Sequence, residues 1–179
     1  MADKQSRDRV RGLVQVYTGV GKGKTTAALG LALRMAGHGG KVIMIQFIKG
    51  DSLGGEHRFA AEYHAFEIHQ PNKANSFAQS PEELRPVTDQ TLSLALETVS
   101  HGDYDLVILD EILVAVSQGL LTTAQVLDLI DHKQERVELV LTGRGATPEI
   151  IARADLVTEM TMLKHPMNRG ISARPGIEY

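Results

Sequence analysis

Cysteine is absent from the chain, which excludes disulfides, thiolate metal ligands and cysteine nucleophiles. Long apolar runs are missing too. No stretch approaches the roughly 18 residues that a membrane-spanning helix needs, and the N-terminal "MADKQSRDRVRG" has mixed charge and no apolar signal-peptide core. These two absences point to a cytoplasmic protein with no membrane partner. A basic excess is also lacking: the formal net charge is −3, which argues against a general nucleic-acid binder. Seven histidines are present, but none falls in a metal-binding spacing such as H-E-x-x-H. There is no internal repeat and no low-complexity tract.

What remains is ordinary in bulk. The 179 residues, 42% hydrophobic and 23% charged, suit one globular domain. Residues 1–12 have no periodic apolar face and are expected to be a flexible N-terminal segment, with residues 13–179 forming a single domain. Strand-length apolar runs alternate with helix-period segments. Strands are expected at 13–18, 41–47, 65–70, 104–111 and 137–143, with an edge strand at 156–160. Helices are expected from about Lys24 to Met35, from a Ser80 cap and Pro81 through Val99, at 122–133 behind a Thr cap, and at 147–154. Residues 70–79 read as a loop. This alternation implies an α/β fold, a mostly parallel sheet with helices on both faces.

The most informative stretch is "TGVGKGKTT" (18–26), set between a strand and a helix. It fits the end of the phosphate-loop pattern G-x-x-x-x-G-K-[ST], with Gly23, Lys24 and Thr25 in the last three places and Thr18 in the first. Glycines at 19, 21 and 23 free the backbone for positive φ, so that N–H groups can form an anion nest backed by a helix N-terminus. Lys24 supplies charge to phosphates and Thr25 a hydroxyl for Mg²⁺. A plain glycine-rich turn is the bland alternative, and a dinucleotide fold is a further, weak one, because Lys24 stands where G-x-G-x-x-G needs glycine. The strand "LVILDE" ends in Asp110 and Glu111, a suitable second half for a nucleotide–metal site. An Asp at a strand end is also a common turn residue, and a "DE" pair permits either water activation or metal ligation. Nothing local decides between these.

Together "VYTGVGKGKTTAALGLALRMAGHGGKVIMIQFIKG", "GE" at 55–56, "LVILDEI", "LVLTGRG", "ADLVTEM" and "KHPMNRGISARPGIEY" resemble the ATP:corrinoid adenosyltransferases, the cob(I)yrinic acid a,c-diamide or cob(I)alamin group with a modified phosphate loop. The resemblance runs from about Leu13 to Tyr179. It implies a RecA-like P-loop fold and transfer of the 5′-deoxyadenosyl group of ATP to Co(I) of a corrinoid, with release of tripolyphosphate. It further implies ATP binding by Gly19, Val20, Gly21, Lys22, Gly23, Lys24, Thr25 and Thr26, with Arg144 of "TGRG" as a further cation. Thr25 and Glu111 fall at Mg²⁺ positions and Asp110 behind them, so that Lys24, Thr25 and Glu111 are the candidate catalytic residues. A homodimer and a flavoprotein-type reductant are implied as partners.

Two departures stand out. Better-known members carry a longer N-terminal segment that can cover the site, and an F-T-W-E stretch before the middle helix. Here that region is "NKANSFAQSPEE" and the chain has no Trp. Phe77 is the candidate apolar wedge beside the corrinoid, and His165 in the tail is a second corrinoid-contacting candidate. His38 is expected in a helix-ending turn, and His57, His64 and His69 on loops or strand surfaces. Two other functions compete: a RecA-like ATPase switch, and a binding protein that only delivers corrinoid.

Overall fold

The computed structural model describes residues 11–50, 54–73 and 79–179. The apolar runs form β1 (Val14–Thr18), β2 (Val42–Gln46), β3 (Glu67–His69), β4 (Leu106–Asp110), β5 (Glu138–Thr142) and β6 (Leu156–Glu159). Among the described residues they make one sheet in the order β3-β2-β4-β5-β1-β6. Every neighbouring pair is parallel, so the expected mostly parallel sheet is parallel throughout. This is the RecA-like α/β arrangement, with β5 between the loop-bearing β1 and the acidic β4.

Among the described residues six helices connect the strands: α1 (Lys24–Gly37), α2 (Gly55–Tyr63), α3 (Pro81–His101), α4 (Ile112–Ser117), α5 (Thr123–His132) and α6 (Pro148–Arg153). Side chains alternate across each strand, so β2 sends Ile43 and Ile45 to one core and Val42 and Met44 to the other. The first core lies under α3, α4, α5 and α6 and holds Ala95, Val99, Leu113, Val126, Leu129 and Ile150. The second lies under α1, whose Ala28 and Ala32 are fully buried against Met44, Leu106, Ile108 and Val140. Small residues on that stripe let the helix axis approach the sheet closely.

Local signals set most helix ends. Ser80 Oγ accepts from the Glu83 N–H at 3.3 Å while the Glu83 carboxylate accepts from the Ser80 N–H at 2.7 Å, a reciprocal cap followed by Pro81. Thr122 and Gln125 cap α5 reciprocally in the same way, and the Thr147 hydroxyl caps α6 by accepting from the Ile150 N–H ahead of Pro148. His38 ends α1, as expected. Two helices were not legible beforehand. α2 buries only Ala60, so it has almost no apolar stripe. α4 is six residues rich in β-branched side chains and reads as strand; burial of Ile112, Leu113 and Ala115 overrides that preference. Among the described residues no helix is long and apolar enough to cross a membrane.

Candidate active site at the C-terminal edge of the sheet

Parallel strands place their C-terminal ends along one edge, where α/β folds bind ligands. There the loop after β1, the acidic end of β4 and the Thr142–Arg144 turn after β5 converge on a cavity of about 910 Å³. The loop needs its glycines for specific reasons. Gly19 has φ +95°, and a Cβ there would lie 2.4 Å from the Met160 carbonyl oxygen; Gly23 has φ +119° and begins α1. The expected nest of inward N–H groups is incomplete in this form, because the Gly21 N–H donates outward to the Met160 carbonyl at 2.7 Å. Thr18, in the unusual first place, is buried, and its hydroxyl accepts from the Ala146 N–H at 3.4 Å.

Lys24 curls back into its own loop, donating to the carbonyls of Gly19 at 2.8 Å and Gly21 at 2.7 Å. Burial pushes its ammonium below the ordinary lysine range, with Glu111 opposing that shift and Arg144 adding to it. Thr25, Glu111 and Arg144 all line the cavity, as do Val20, Lys22, Gly23 and Thr26; Arg144 is exposed.

Asp110 has no exposed surface and is absent from the cavity lining. Its Oδ1 accepts from the Thr25 hydroxyl at 2.9 Å and the Thr142 hydroxyl at 2.7 Å. Its Oδ2 accepts from Lys49 Nζ at 2.7 Å and, at 3.4 Å, from Gln46 Nε2. Glu111 sits in the left-handed region at φ +62°, a strained backbone for this residue type, and this turns its carboxylate to the cavity side. Burial raises its pKa above the usual carboxylate range, the neighbouring Asp110 charge raises it further, and Lys49, Lys24 and Arg144 oppose.

A metal fits this donor set on stated terms. Among the described residues no three His, Cys, Asp or Glu side chains are grouped to hold a metal. The chain can offer the Thr25 hydroxyl and the Glu111 carboxylate. That matches Mg²⁺, which keeps several waters and is held by one or two protein oxygens together with substrate phosphates.

The C-terminal tail closes one side of the cavity. Glu178 Oε1 lies 2.7 Å from Lys22 Nζ, and the Ile177 carbonyl accepts from the same ammonium at 3.2 Å. Hydrogen bonds from Arg174, then Lys22, hold the Glu178 carboxyl down at about 2. Gly176, Ile177, Glu178 and Tyr179 share the cavity with the phosphate loop, so the first and last of the stretches that carry the family resemblance meet at one place.

A profile of the family ATP:corrinoid adenosyltransferase BtuR/CobO/CobP matches residues 10–179. The chain belongs to this family. It is 36% identical over 178 residues to a corrinoid adenosyltransferase of Pseudomonas aeruginosa, covering 98% of this chain and 87% of that one. It is 35% identical over 178 residues to a corrinoid adenosyltransferase of Escherichia coli K12, with 98% and 89% covered. A third relative, corrinoid adenosyltransferase CobA of Salmonella typhimurium, is 34% identical over 176 residues, with 94% and 86% covered.

As an adenosyltransferase-family site, it contains more than its motifs announced. Lys49, Glu56, Met162, Met167 and the tail line the cavity; Lys49, Glu56 and Met167 fall in stretches that carry the resemblance, but no residue type or spacing gave any of the first four a role. His57 belongs to α2, where a loop or strand surface was expected, and its ring faces the sheet. Its Nδ1 accepts from the Gly54 N–H at 3.1 Å, so Nε2 carries the proton and donates to Gln46 Oε1 at 2.9 Å. His64 ends α2 and His69 lies on β3. His165 does line the cavity, and its Nδ1 accepts from the Met167 N–H at 3.3 Å to cap the short turn Pro166–Arg169. Phe77 lies outside the described residues.

Proposed function

We propose that this protein transfers the 5′-deoxyadenosyl group of ATP to Co(I) of a corrinoid, either cob(I)yrinic acid a,c-diamide or cob(I)alamin, and releases tripolyphosphate. One observation carries the reading: the phosphate loop and the C-terminal "GIEY" segment wall a single cavity, with Glu178 on Lys22. Co(I) is a very strong nucleophile and needs no general base. The protein's task is then to place C5′ beside cobalt and to stabilise a departing triphosphate.

In this reading the C5′–oxygen bond breaks as the Co–C bond forms, and the bonding pair leaves with the triphosphate. Lys24 gives up the Gly19 and Gly21 carbonyls and donates to phosphate oxygens. Lys22 and Arg144, both at the cavity wall, add positive charge. The loop N–H groups of residues 19–26 complete the cradle. Thr25 and Glu111 hold Mg²⁺, which supplies charge neutralisation of the leaving group when bound, and Asp110 orients Thr25 from behind. His165 and the apolar Met162 and Met167 form the side that faces the corrinoid, with Phe77 as a wedge at its lower face. Residues 13–179 act as one domain, in the cytoplasm, as a homodimer supplied with reduced corrinoid by a flavoprotein-type reductant.

The test uses purified protein with ATP, Mg²⁺, a corrinoid and a strong reductant. A light-sensitive Co–C product should form together with tripolyphosphate. Release of orthophosphate with an unchanged corrinoid spectrum would overturn the reading in favour of an ATPase. Tight corrinoid binding without turnover would overturn it in favour of a delivery protein.

A further inference from the structure

We infer that Lys49 is a positioning residue that fixes the Asp110 carboxylate so that the Thr25 hydroxyl presents its lone pairs to the cavity. The inference rests on the reading of Thr25 and Glu111 as the protein ligands of the cation, and it concerns what sets their geometry.

The hydroxyl bookkeeping leads there. Thr25 has one proton and gives it to Asp110 Oδ1 at 2.9 Å, which leaves both Thr25 lone pairs free for a cation. A hydroxyl without that acceptor is free to rotate its proton toward the cavity, where it would repel a cation. Everything therefore depends on Asp110 staying put. Oδ1 is shared with Thr142, whose own oxygen also accepts the Glu111 N–H at 3.0 Å; this ties the carboxylate to the strand end that carries Glu111. Oδ2 has one short donor, Lys49 Nζ at 2.7 Å, and one long one, Gln46 Nε2 at 3.4 Å. Lys49 is thus the contact that stops the carboxylate from turning about its own axis.

Position supports this role. Asp110 is wholly buried while the Lys49 side chain keeps 35% of its surface exposed, so the ammonium joins a buried acceptor to the cavity wall. The pair also balances charge beside Glu111, a second carboxylate that burial already disfavours. A neutral chain of bonds backs it: the Gly54 N–H to His57, His57 to Gln46, and Gln46 to Asp110. That chain orients the Gln46 amide with its NH₂ toward Oδ2, leaving Lys49 the only charged donor to Asp110 among the described residues. Ligand-orienting partners of this kind typically change metal affinity 10–100-fold when removed.

The experiment titrates Mn²⁺ into the full chain with ATP and no corrinoid, read by electron paramagnetic resonance, alongside ATP binding in EDTA. Lys49→Met is expected to weaken Mn²⁺ in the ternary complex about ten-fold or more and to leave metal-free ATP binding near native. Lys49→Arg, which keeps charge and donors, is expected to recover most of the loss. Folding of each variant is checked by circular dichroism and thermal melting. Should Lys49→Met not fold, Lys49→Gln, which removes the charge and shortens the reach while keeping a polar side chain, is read in its place, and a Mn²⁺ loss with near-native metal-free ATP binding supports the assignment. Native Mn²⁺ affinity in a folded Lys49→Met protein of reduced melting temperature overturns it, because Lys49 is then structural only. Native affinity in a folded Lys49→Gln protein overturns it as well. The proposed reaction fails separately: a native chain that binds Mn²⁺ and ATP but forms no Co–C product loses that function and keeps this assignment.

Discussion

Two lysines at opposite edges of the sheet end on backbone carbonyls, and they do different work. At the C-terminal edge, Lys24 donates to Gly19 and Gly21 and lines the cavity. At the N-terminal edge, Lys133 donates to Gly12 at 3.0 Å, Gln134 at 3.1 Å and Val137 at 2.8 Å, away from the cavity. Burial lowers the pKa of both ammonium groups, and acidic neighbours oppose it in each case, Glu111 at Lys24 and Glu138 at Lys133. What differs is whether a better acceptor can arrive. The Gly19 and Gly21 carbonyls sit in a glycine loop open to a ligand, whereas the carbonyls around Lys133 join the chain before β1 to the chain before β5. On the proposed function, the same interaction is a standby position in one place and a clamp in the other.

The largest expected effect breaks the standby. Lys24→Met should lower kcat/KM for adenosyl transfer by roughly 10²–10³-fold and leave the melting temperature of the ligand-free protein unchanged or higher, since a desolvated charge is removed. Lys133→Met should do the reverse: a loss of roughly 1–2 kcal/mol in urea unfolding with an unchanged KM for ATP. A large fall in activity in folded Lys133→Met would erase the distinction.

Glu111 sharpens the comparison from the acidic side. Its pKa is raised, so above that pKa the folded state carries a penalised carboxylate. Glu111→Gln should therefore raise ligand-free stability near neutral pH by roughly 1 kcal/mol, measured by denaturant unfolding, while metal-dependent turnover falls. The smallest effect is at Lys22, a third lysine whose partner is solvent-facing. The Glu178 carboxyl is depressed from an ordinary 4.5 to about 2. Its contact with Lys22 is thus fully present above the unfolded value of 4.5 and lost as pH falls through about 2. Protection factors of residues 174–179, taken relative to the intrinsic exchange rate at each pH, should fall across that window from their value at pH 6, with no such fall in Glu178→Gln.

Much of the scaffold was legible because its signals are local. The β1–loop–α1 unit, the Ser80 cap and the strand ending in Asp110 and Glu111 each announce themselves within a few residues. The misses have equally specific causes. α2 lacks an apolar stripe, α4 is short and β-branched, and the ring of His57 was placed on a surface when it braces Gln46. Phe77 was named from resemblance, and the described residues do not include it.

The sequence by itself determined the parallel sheet, the phosphate loop and the edge where a nucleotide can sit, since periodicity, glycines and caps act on neighbouring residues. Only the tertiary structure decided how that edge is wired. Lys49 reaches Asp110 across 61 positions, Thr25 reaches it across 85, and Lys22 meets Glu178 across 156. Such pairs have no local signature: each exists because folding brings strand ends and tail to one edge, where buried polar groups must find partners.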